Sequence, residues 1–201
     1  MKTPIAILVV VLLVLLSGCA TTQKTTPQSV PQPEKIVSVP HFKSATEVFA
    51  TTTTLAEFYK KMEFNPNGNS VEIVALADPI GAMKAREIKE ESVALSKKLY
   101  PKEFTFDTVL DAFRHAYFSF RLSQEIGVER TKKFTDAYEI SHINPPASRC
   151  MDLWNNQQGR LMYIATKAEK IDKKQLAKRE VLKAIEIKQL ALKPIKTKPT
   201  K

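Results

Sequence analysis

The sequence predicts an all-α protein: a compact domain of about five helices, a disordered N-terminal tether, and a basic C-terminal helix and tail. Apolar residues recur through residues 70–166 with the 3.6-residue period of amphipathic helices. Only five glycines occur among 201 residues, which favours helices over a sheet with many tight turns. We expect residues 45–166 to form the helical domain and residues 167–201 the basic helix and tail.

The first 18 residues have the pattern of a secretory signal peptide. Lys2 precedes an apolar run from Ile5 to Leu16, which is shorter than the roughly 20 residues that span a bilayer. The run ends in Leu-Ser-Gly before Cys19, which resembles a bacterial lipobox. Palmitate and other acyl chains on Cys19 would hold the mature chain on a membrane, since each buried methylene contributes roughly 0.8 kcal/mol.

The residue after the cysteine indicates where such a lipoprotein goes. Ala20, and not an aspartate, follows Cys19, which resembles the sorting pattern of Gram-negative lipoproteins for the cell outer membrane. The sequence therefore predicts a lipid-anchored outer-membrane protein that faces the periplasm. An uncleaved anchor or an ordinary signal peptide is the alternative interpretation of the same stretch.

Residues 19–44 are rich in Thr, Pro and Gln and contain four prolines. Such a segment buries too little apolar surface to offset its ordering entropy, so we expect a disordered tether. Without residues 1–18 the chain loses one lysine, and its formal charge falls from +10 to +9. Cys150 is then the remaining cysteine beside the acylated one, so no disulfide forms within the chain.

The C-terminal part of the chain is basic, and its charge bears on which partners the protein could bind. Residues 166–193 suit a long amphipathic helix that packs weakly or projects, followed by a disordered basic end. Beyond the membrane at Cys19, the predicted partner is an envelope protein or anionic lipid. No helix-turn-helix, zinc-finger spacing, aromatic platform or phosphate loop occurs in the sequence, so we expect no nucleic-acid binding.

The uncommon polar residues of the chain concentrate in residues 107–160. A helix capped by Thr105 or Asp107 has apolar residues on two opposite faces, which is typical of a helix in the middle of a domain. Asp111 and His115 lie one turn apart on this helix, with Arg114 beside them. Buried charges are costly unless paired, so these side chains form either an internal packing network or a cleft.

Two further helices contribute polar residues. Glu139 lies near the C-terminus of a helix from about Val128 to Ile140, where the helix dipole disfavours an acid, so a cation should compensate it. The last core helix is expected to start at Met151 and carries a stripe that includes Asp152 and Asn156. Gly159 and Tyr163 continue this stripe, and Asn155 borders it. Glycine in a helix interior suggests close approach by another helix or a ligand.

Three motifs in this order resemble an uncharacterised bacterial family of domains of unknown function. They are D-A-F-R-H-A-Y at 111–117, D-A-x-E at 136–139 and M-D-L-x-N-N-x-x-G-R at 151–160, and the resemblance covers about residues 75–165. The family typically has histidine where this chain has Tyr138. The resemblance implies a compact helical domain with a shared polar centre, and it implies no particular activity.

Three classes of function remain open. The first is a lipid-anchored envelope protein with a binding or structural role, in which Arg114, Glu139, Asp152, Asn155 and Asn156 bind a partner. The second is a hydrolase in which His115 is the general base and Asp111 orients it. The residues that bind its substrate would be Arg114, Asn155 and Asn156. The third is a metal site formed by His115, Glu139 and Asp152, which ranks last because no close ligand spacing such as H-E-x-x-H supports it. The sequence thus predicts no metal and no cofactor.

Overall fold

The computed structural model describes residues 53–198, and this range contains seven α-helices and no strand beyond one isolated bridge. The helices are α1 (Leu55–Lys61), α2 (Val71–Ala77), α3 (Pro79–Leu99), α4 (Val109–Ile126), α5 (Val128–Ser141), α6 (Pro146–Thr166) and α7 (Lys173–Glu186). The all-α prediction is confirmed, with seven helices in place of about five. None of these helices has the length and hydropathy of a membrane-spanning segment. The predicted signal peptide, lipobox and tether lie outside the described residues.

Helix α4 lies at the centre of the domain and packs against α3, α5, α6 and α7. One of its faces carries Phe113 and Phe120 into the main apolar core, and the opposite face carries Leu122 into a smaller cluster with Ile88 and Phe134. The two-faced apolar pattern of this helix in the sequence therefore predicted its position correctly.

The sequence offers Ser70 as a cap before α2 and Asp78-Pro79 as the start of α3. Both helices begin there, although the Ser70 side chain makes no capping hydrogen bond. Ser70 precedes α2, and the Asp78 side chain accepts a hydrogen bond from the backbone N–H of Gly81 (2.9 Å) at the start of α3. Pro79 occupies the first turn, where its fixed φ suits a helix and its missing N–H costs nothing. Asp78 also binds Arg130 of α5 (2.7 Å), which joins the first turn of α3 to α5.

Two other helix starts differ from the prediction. The residue that precedes α4 is Thr108, and neither Thr105 nor Asp107 caps the helix. Helix α6 begins at Pro146 and not at Met151, because a proline is accommodated in the first turn of a helix instead of extending the loop.

Helix α3 differs from its sequence pattern, in which Ile80, Met83 and Ile88 mark the apolar side and charged residues such as Glu91 mark the solvated side. Ile88 is buried as expected, but Ile80 and Met83 are 70% and 74% exposed. Glu91, which the charge pattern placed on the solvent side, lies half-buried and binds residues of α4 and α7. Single exposed apolar residues are normal on a protein surface, since polar residues alone do not cover it.

The C-terminal helix packs on the domain and does not project. Leu176 and Val181 of α7 are buried in the main core, and the small side chains Ala177 and Ala184 allow close approach to α4. The segment after α7 contributes buried residues as well, namely Leu190, Ala191 and Ile195. The prediction of a weakly packed helix followed by a disordered basic end is therefore wrong for the residues up to Lys198, where the described part of the chain ends.

The two ends of the described chain meet. The backbone N–H of Lys198 donates to the carbonyl oxygen of Thr53 (3.1 Å), and Thr54 and Lys198 form the isolated parallel bridge. Nearby in the sequence, the N–H of Ile195 donates to the carbonyl oxygen of Ala147 at the start of α6 (3.0 Å). The C-terminal segment thus closes the domain against both α6 and the residues before α1.

Candidate functional site

Six of the seven polar residues singled out in the sequence converge inside the domain, and we refer to them as the polar centre. They are Asp111, Arg114 and His115 of α4, Glu139 of α5, and Asp152 and Asn156 of α6. Five of the six are buried, and Arg114 is half-buried. They come together because α4, α5 and α6 all pack against one another.

His115 lies in the middle of this group. Its Nε2 atom is 3.3 Å from Oδ1 of Asp152 and 3.4 Å from Oδ1 of Asp111. Its Nδ1 atom is 3.9 Å from Oε1 of Glu139. Arg114 bonds to Oδ1 of Asp111 and lies 3.2 Å from Nε2 of His115. The expected pairing of a buried histidine with acids is therefore present on both of its ring nitrogens.

The environment shifts the protonation of these groups. Burial alone would lower the pKa of His115, but the charge of Asp152, the hydrogen bond to Asp111 and the charge of Glu139 raise it to about 9. Burial raises the pKa of Glu139 to about 8, although the charge of His115 opposes this. Burial likewise raises the pKa of Asp152 to about 6 against the charge of His115. His115 is consequently an imidazolium near neutral pH, paired with the two aspartates.

Glu139 meets the cation that its position on α5 required. The charge of His115 is the nearest compensation, and Asn156 donates to Oε1 of Glu139 (3.4 Å). The other oxygen, Oε2, is buried without a hydrogen-bond partner. Asn156 itself accepts a hydrogen bond from the hydroxyl of Ser119 (2.9 Å), so α4, α5 and α6 are joined by polar contacts at this level.

A cavity of about 50 Å³ opens beside His115 between α3, α4, α5 and α6. Its lining combines basic, hydroxyl, amide and aromatic side chains: Lys89, Ser92, Val93, Arg114, His115, Phe118, Thr135, Tyr138, Glu139 and Asn156. The Nε atom of Arg114 is buried without a hydrogen-bond partner. The ammonium of Lys89 lies 5.0 Å from the centre of the Tyr138 ring, within the range of a cation–π contact.

A second cavity, of about 190 Å³, lies on the side of the two aspartates. Its lining is rich in oxygen atoms and consists of Phe106, Asp107, Asp111, Asn144, Pro145, Ser148 and Asp152. The sequence reasoning did not single out Asp107, Asn144 or Ser148 as site residues. Asp107 lies before α4 with a left-handed backbone, so helical spacing gave no signal that could have found it.

Asn155 does not belong to the polar centre. Its side-chain amide donates to the carbonyl oxygen of Ala191, and its Oδ1 accepts from the N–H of Ala191, both at 2.9 Å. These two hydrogen bonds hold the C-terminal segment against α6.

Gly159 marks a close approach of two helices, which is one of the two explanations that its position in α6 allowed. A Cβ atom at Gly159 would lie 2.9 Å from Cβ of Ser119 and closer still to the carbonyl oxygen of Ala116. Helix α6 can therefore reach α4 only with a glycine here, and this approach brings Asn156 and Asp152 to His115.

The described residues show no activated nucleophile next to His115. Ser119 donates its proton to Asn156 and not to the histidine. Cys150 is buried, and burial raises the pKa of its thiol to about 12. His142 lies exposed and stacks on Tyr138, with ring centres 3.8 Å apart. The hydroxyl and thiol groups near the site are thus held in packing roles.

A search of curated proteins and a search of solved structures each found no match for this chain. A family model described as a domain of unknown function, DUF6973, matches residues 72–189. The match includes all of α3 to α7, and with them every residue of the polar centre. Because this range covers more than half of the 201 residues, the chain belongs to the DUF6973 family of domains of unknown function.

Proposed function

We propose that the protein is a lipid-anchored bacterial envelope protein whose helical domain binds a small ligand beside His115. The first half of the proposal rests on the sequence before the described residues, where an apolar run ends in Leu-Ser-Gly before Cys19. Ala20 supports placement in the outer membrane, facing the periplasm. The second half rests on the cavity lined by Arg114 and Lys89.

Acylation is tested directly by replacing the cysteine. Wild-type protein and Cys19→Ser are expressed in Gram-negative cells with labelled palmitate and then fractionated. We expect label and outer-membrane fractionation for the wild type and neither for the variant. Cys150→Ser is the matched control, since the proposal assigns it no lipid. Equal label in Cys19→Ser and wild type would exclude the lipoprotein assignment.

The observation that carries the binding role is that Arg114 lines the cavity and its buried Nε atom has no hydrogen-bond partner. Unpaired buried donors are rare in folded proteins and often mark a place where a ligand or water binds. Lys89, at the exposed surface of α3, adds a second cation to the same cavity. Together they suit a ligand with a carboxylate, phosphate or other acceptor group.

The size of the cavity limits how much of the ligand it holds. At roughly 10–15 Å³ for each water, a cavity of about 50 Å³ has room for three to five water molecules. This is the size of one carboxylate or phosphate group. The rest of the ligand would therefore extend past Lys89 and Tyr138 towards solvent.

The binding role is tested by thermal denaturation with a panel of small carboxylates and phosphates. We expect at least one class to raise the melting temperature of the wild type, and we expect this shift to shrink in Lys89→Gln. Lys97→Gln, another exposed lysine of α3 outside the cavity, is the control and should keep the full shift. Identical shifts in both variants, or none in the wild type at millimolar ligand, would contradict the proposal.

A hydrolase that uses His115 as general base is the second candidate, favoured by the Asp111–His115 contact beside a cavity. The charges around His115 argue against it, because a pKa of about 9 leaves the ring protonated near neutral pH and unable to accept a proton. A binding role needs no proton transfer, so it fits the site better.

A further inference from the structure

Three donor atoms from α4 and α6 converge inside the polar centre: Oδ1 of Asp111, Nε2 of His115 and Oδ1 of Asp152. With one ligand atom taken from each of these side chains, the three atoms lie within 4.8 Å of one another. The distances from Nε2 are 3.4 Å to Asp111 and 3.3 Å to Asp152. Two ligand atoms of a tetrahedral zinc ion, each bonded at about 2.0–2.1 Å, stand about 3.3–3.4 Å apart. The spacing around His115 is therefore that of a zinc site.

The remaining oxygen of each aspartate is held by a hydrogen-bond donor of the protein. Oδ2 of Asp111 accepts from the backbone N–H of Asp107 (2.9 Å). Oδ2 of Asp152 accepts from the side-chain amide of Asn144 (3.3 Å). Both carboxylates are thereby turned so that their Oδ1 atoms face His115. Donors that orient ligating carboxylates in this way are a regular part of metal sites in proteins.

Asp152 provides an independent observation. The residue is 4% exposed, and its Oδ1 atom is buried with no hydrogen-bond partner, although Oδ2 has one. Buried carboxylate oxygens are normally hydrogen-bonded or bound to a metal ion. Nε2 of His115 lies 3.3 Å from this oxygen, and a metal ion bound between these two atoms would give the oxygen the partner that it lacks.

The other nitrogen of His115 has a suitable partner as well. Nδ1 faces Oε1 of Glu139, which is fully buried, at 3.9 Å. Histidines that bind metals through one ring nitrogen almost always direct the other to a carboxylate, a carbonyl or water. Glu139 would thus orient the His115 ring and would not bind the ion itself. The sequence reasoning had placed it among the ligands, in the set His115, Glu139 and Asp152.

The chain around Asp107 is shaped to hold this arrangement. Asp107 has a left-handed backbone (φ +58°), which non-glycine residues seldom adopt, and its side chain accepts a hydrogen bond from Ser148 (3.0 Å). Backbone strain of this kind is often found at functional sites. The cavity of about 190 Å³ beside Asp107 gives water access to the carboxylate side of the cluster.

We propose that Asp111, His115 and Asp152 bind one Zn²⁺ ion, with the fourth position taken by water from the adjacent cavity. Imidazole and carboxylate together suit zinc, and three protein ligands leave one position open. On binding, the ion displaces the proton from Nε2 of His115 to solvent and replaces the contact between Arg114 and Asp111. The half-buried Arg114 retains its place along the cavity on the other side of His115. The inference does not depend on the ligand proposed above, which is absent from the test.

The test is a calorimetric titration of tag-free, EDTA-treated full-length protein with ZnCl₂. We expect one ion per chain with a Kd of about 1 μM or tighter, and a higher melting temperature that EDTA reverses. Asp152→Asn should weaken binding by more than about 100-fold, and Glu139→Gln by about 10–100-fold. Asp136→Asn, a change on α5 at an aspartate paired with Lys132, is the control and should bind as the wild type does.

Cobalt provides a readout that does not depend on the variants. Co²⁺ bound in place of Zn²⁺ should give intense visible absorption bands of a four-coordinate site, and Zn²⁺ should remove them. No binding of Zn²⁺ by folded wild-type protein would overturn the proposal. Unchanged binding in folded Asp152→Asn would overturn it too, as would loss of binding in His142→Gln, which would place the ion at the exposed histidine.

Discussion

Asn155 and Asn156 are neighbours in α6, yet their side chains stabilise different parts of the molecule. Asn155 forms two hydrogen bonds with the backbone of Ala191, and Asn156 contacts Ser119 and Glu139 in the polar centre. Asparagine is a poor helix former, so two in succession need partners outside the helix. The sequence could indicate this need but not the partners, because Ala191 lies 36 residues from Asn155.

Asn155→Ala should release the C-terminal segment. The change leaves the N–H and the carbonyl of Ala191 unpaired in a buried place, at roughly 1–3 kcal/mol for each group. We expect a lower urea midpoint and faster proteolytic cleavage after Ile187. Asn156→Ala is the matched control, since it should leave the segment protected. Equal cleavage of the two variants would contradict the structural role of Asn155.

At the scale of whole helices, Glu91 joins α3 to α4 and α7. Its carboxylate accepts hydrogen bonds from Tyr117 (2.6 Å) and Arg121 (3.1 Å) of α4, and it pairs with Lys174 of α7 (2.9 Å). Burial would raise the pKa of Glu91, but these three donors lower it below its usual value. The charge pattern of α3 gave no sign of this role, because the partners lie far along the sequence.

Glu91→Gln should destabilise the protein by roughly 1.5–3 kcal/mol at neutral pH, as expected for hydrogen bonds to a charged group. Because the folded state depresses the pKa of Glu91, its stabilisation is complete above the unfolded value of about 4.5 and is lost as the pH falls through the lower folded value. Urea unfolding from pH 7 to pH 3 should therefore show the wild type approaching the variant at low pH. Glu90→Gln, at an exposed position, serves as the control. A difference in unfolding free energy between the wild type and Glu91→Gln that stays constant from pH 7 to pH 3 would refute the assignment.

At the scale of the molecule, the residues that define the fold class and the polar centre were predictable because their signals are local. The two-faced pattern of α4 required burial of Asp111 and His115, and Gly159 in α6 indicated a close approach. The position of α7, the start of α6 and the roles of Glu91 and Asp107 were not predictable. Each depends on contacts between distant residues or on one backbone angle, which periodicity does not encode.

The C-terminal segment should contribute several kcal/mol to the stability of the domain. A chain that ends after Lys188 loses the buried side chains of Leu190 and Ile195, each worth roughly 1.5–3 kcal/mol. We expect a large drop in the melting temperature, since a domain has only about 5–15 kcal/mol in total. A chain that ends after Lys198 keeps these contacts and should melt as the full chain does. Equal melting temperatures for the two truncations would show that the segment is dispensable.

The hydrogen bond between Thr53 and Lys198 has a consequence for the connectivity of the domain. Since the two ends meet, a short linker can join them, and the chain can be opened elsewhere to give a circular permutant. The exposed turn at residues 65–69, between α1 and α2, offers a place to cut, because it lies outside both helices and away from the polar centre. We therefore expect a chain that begins and ends at this turn to fold into the same arrangement of helices.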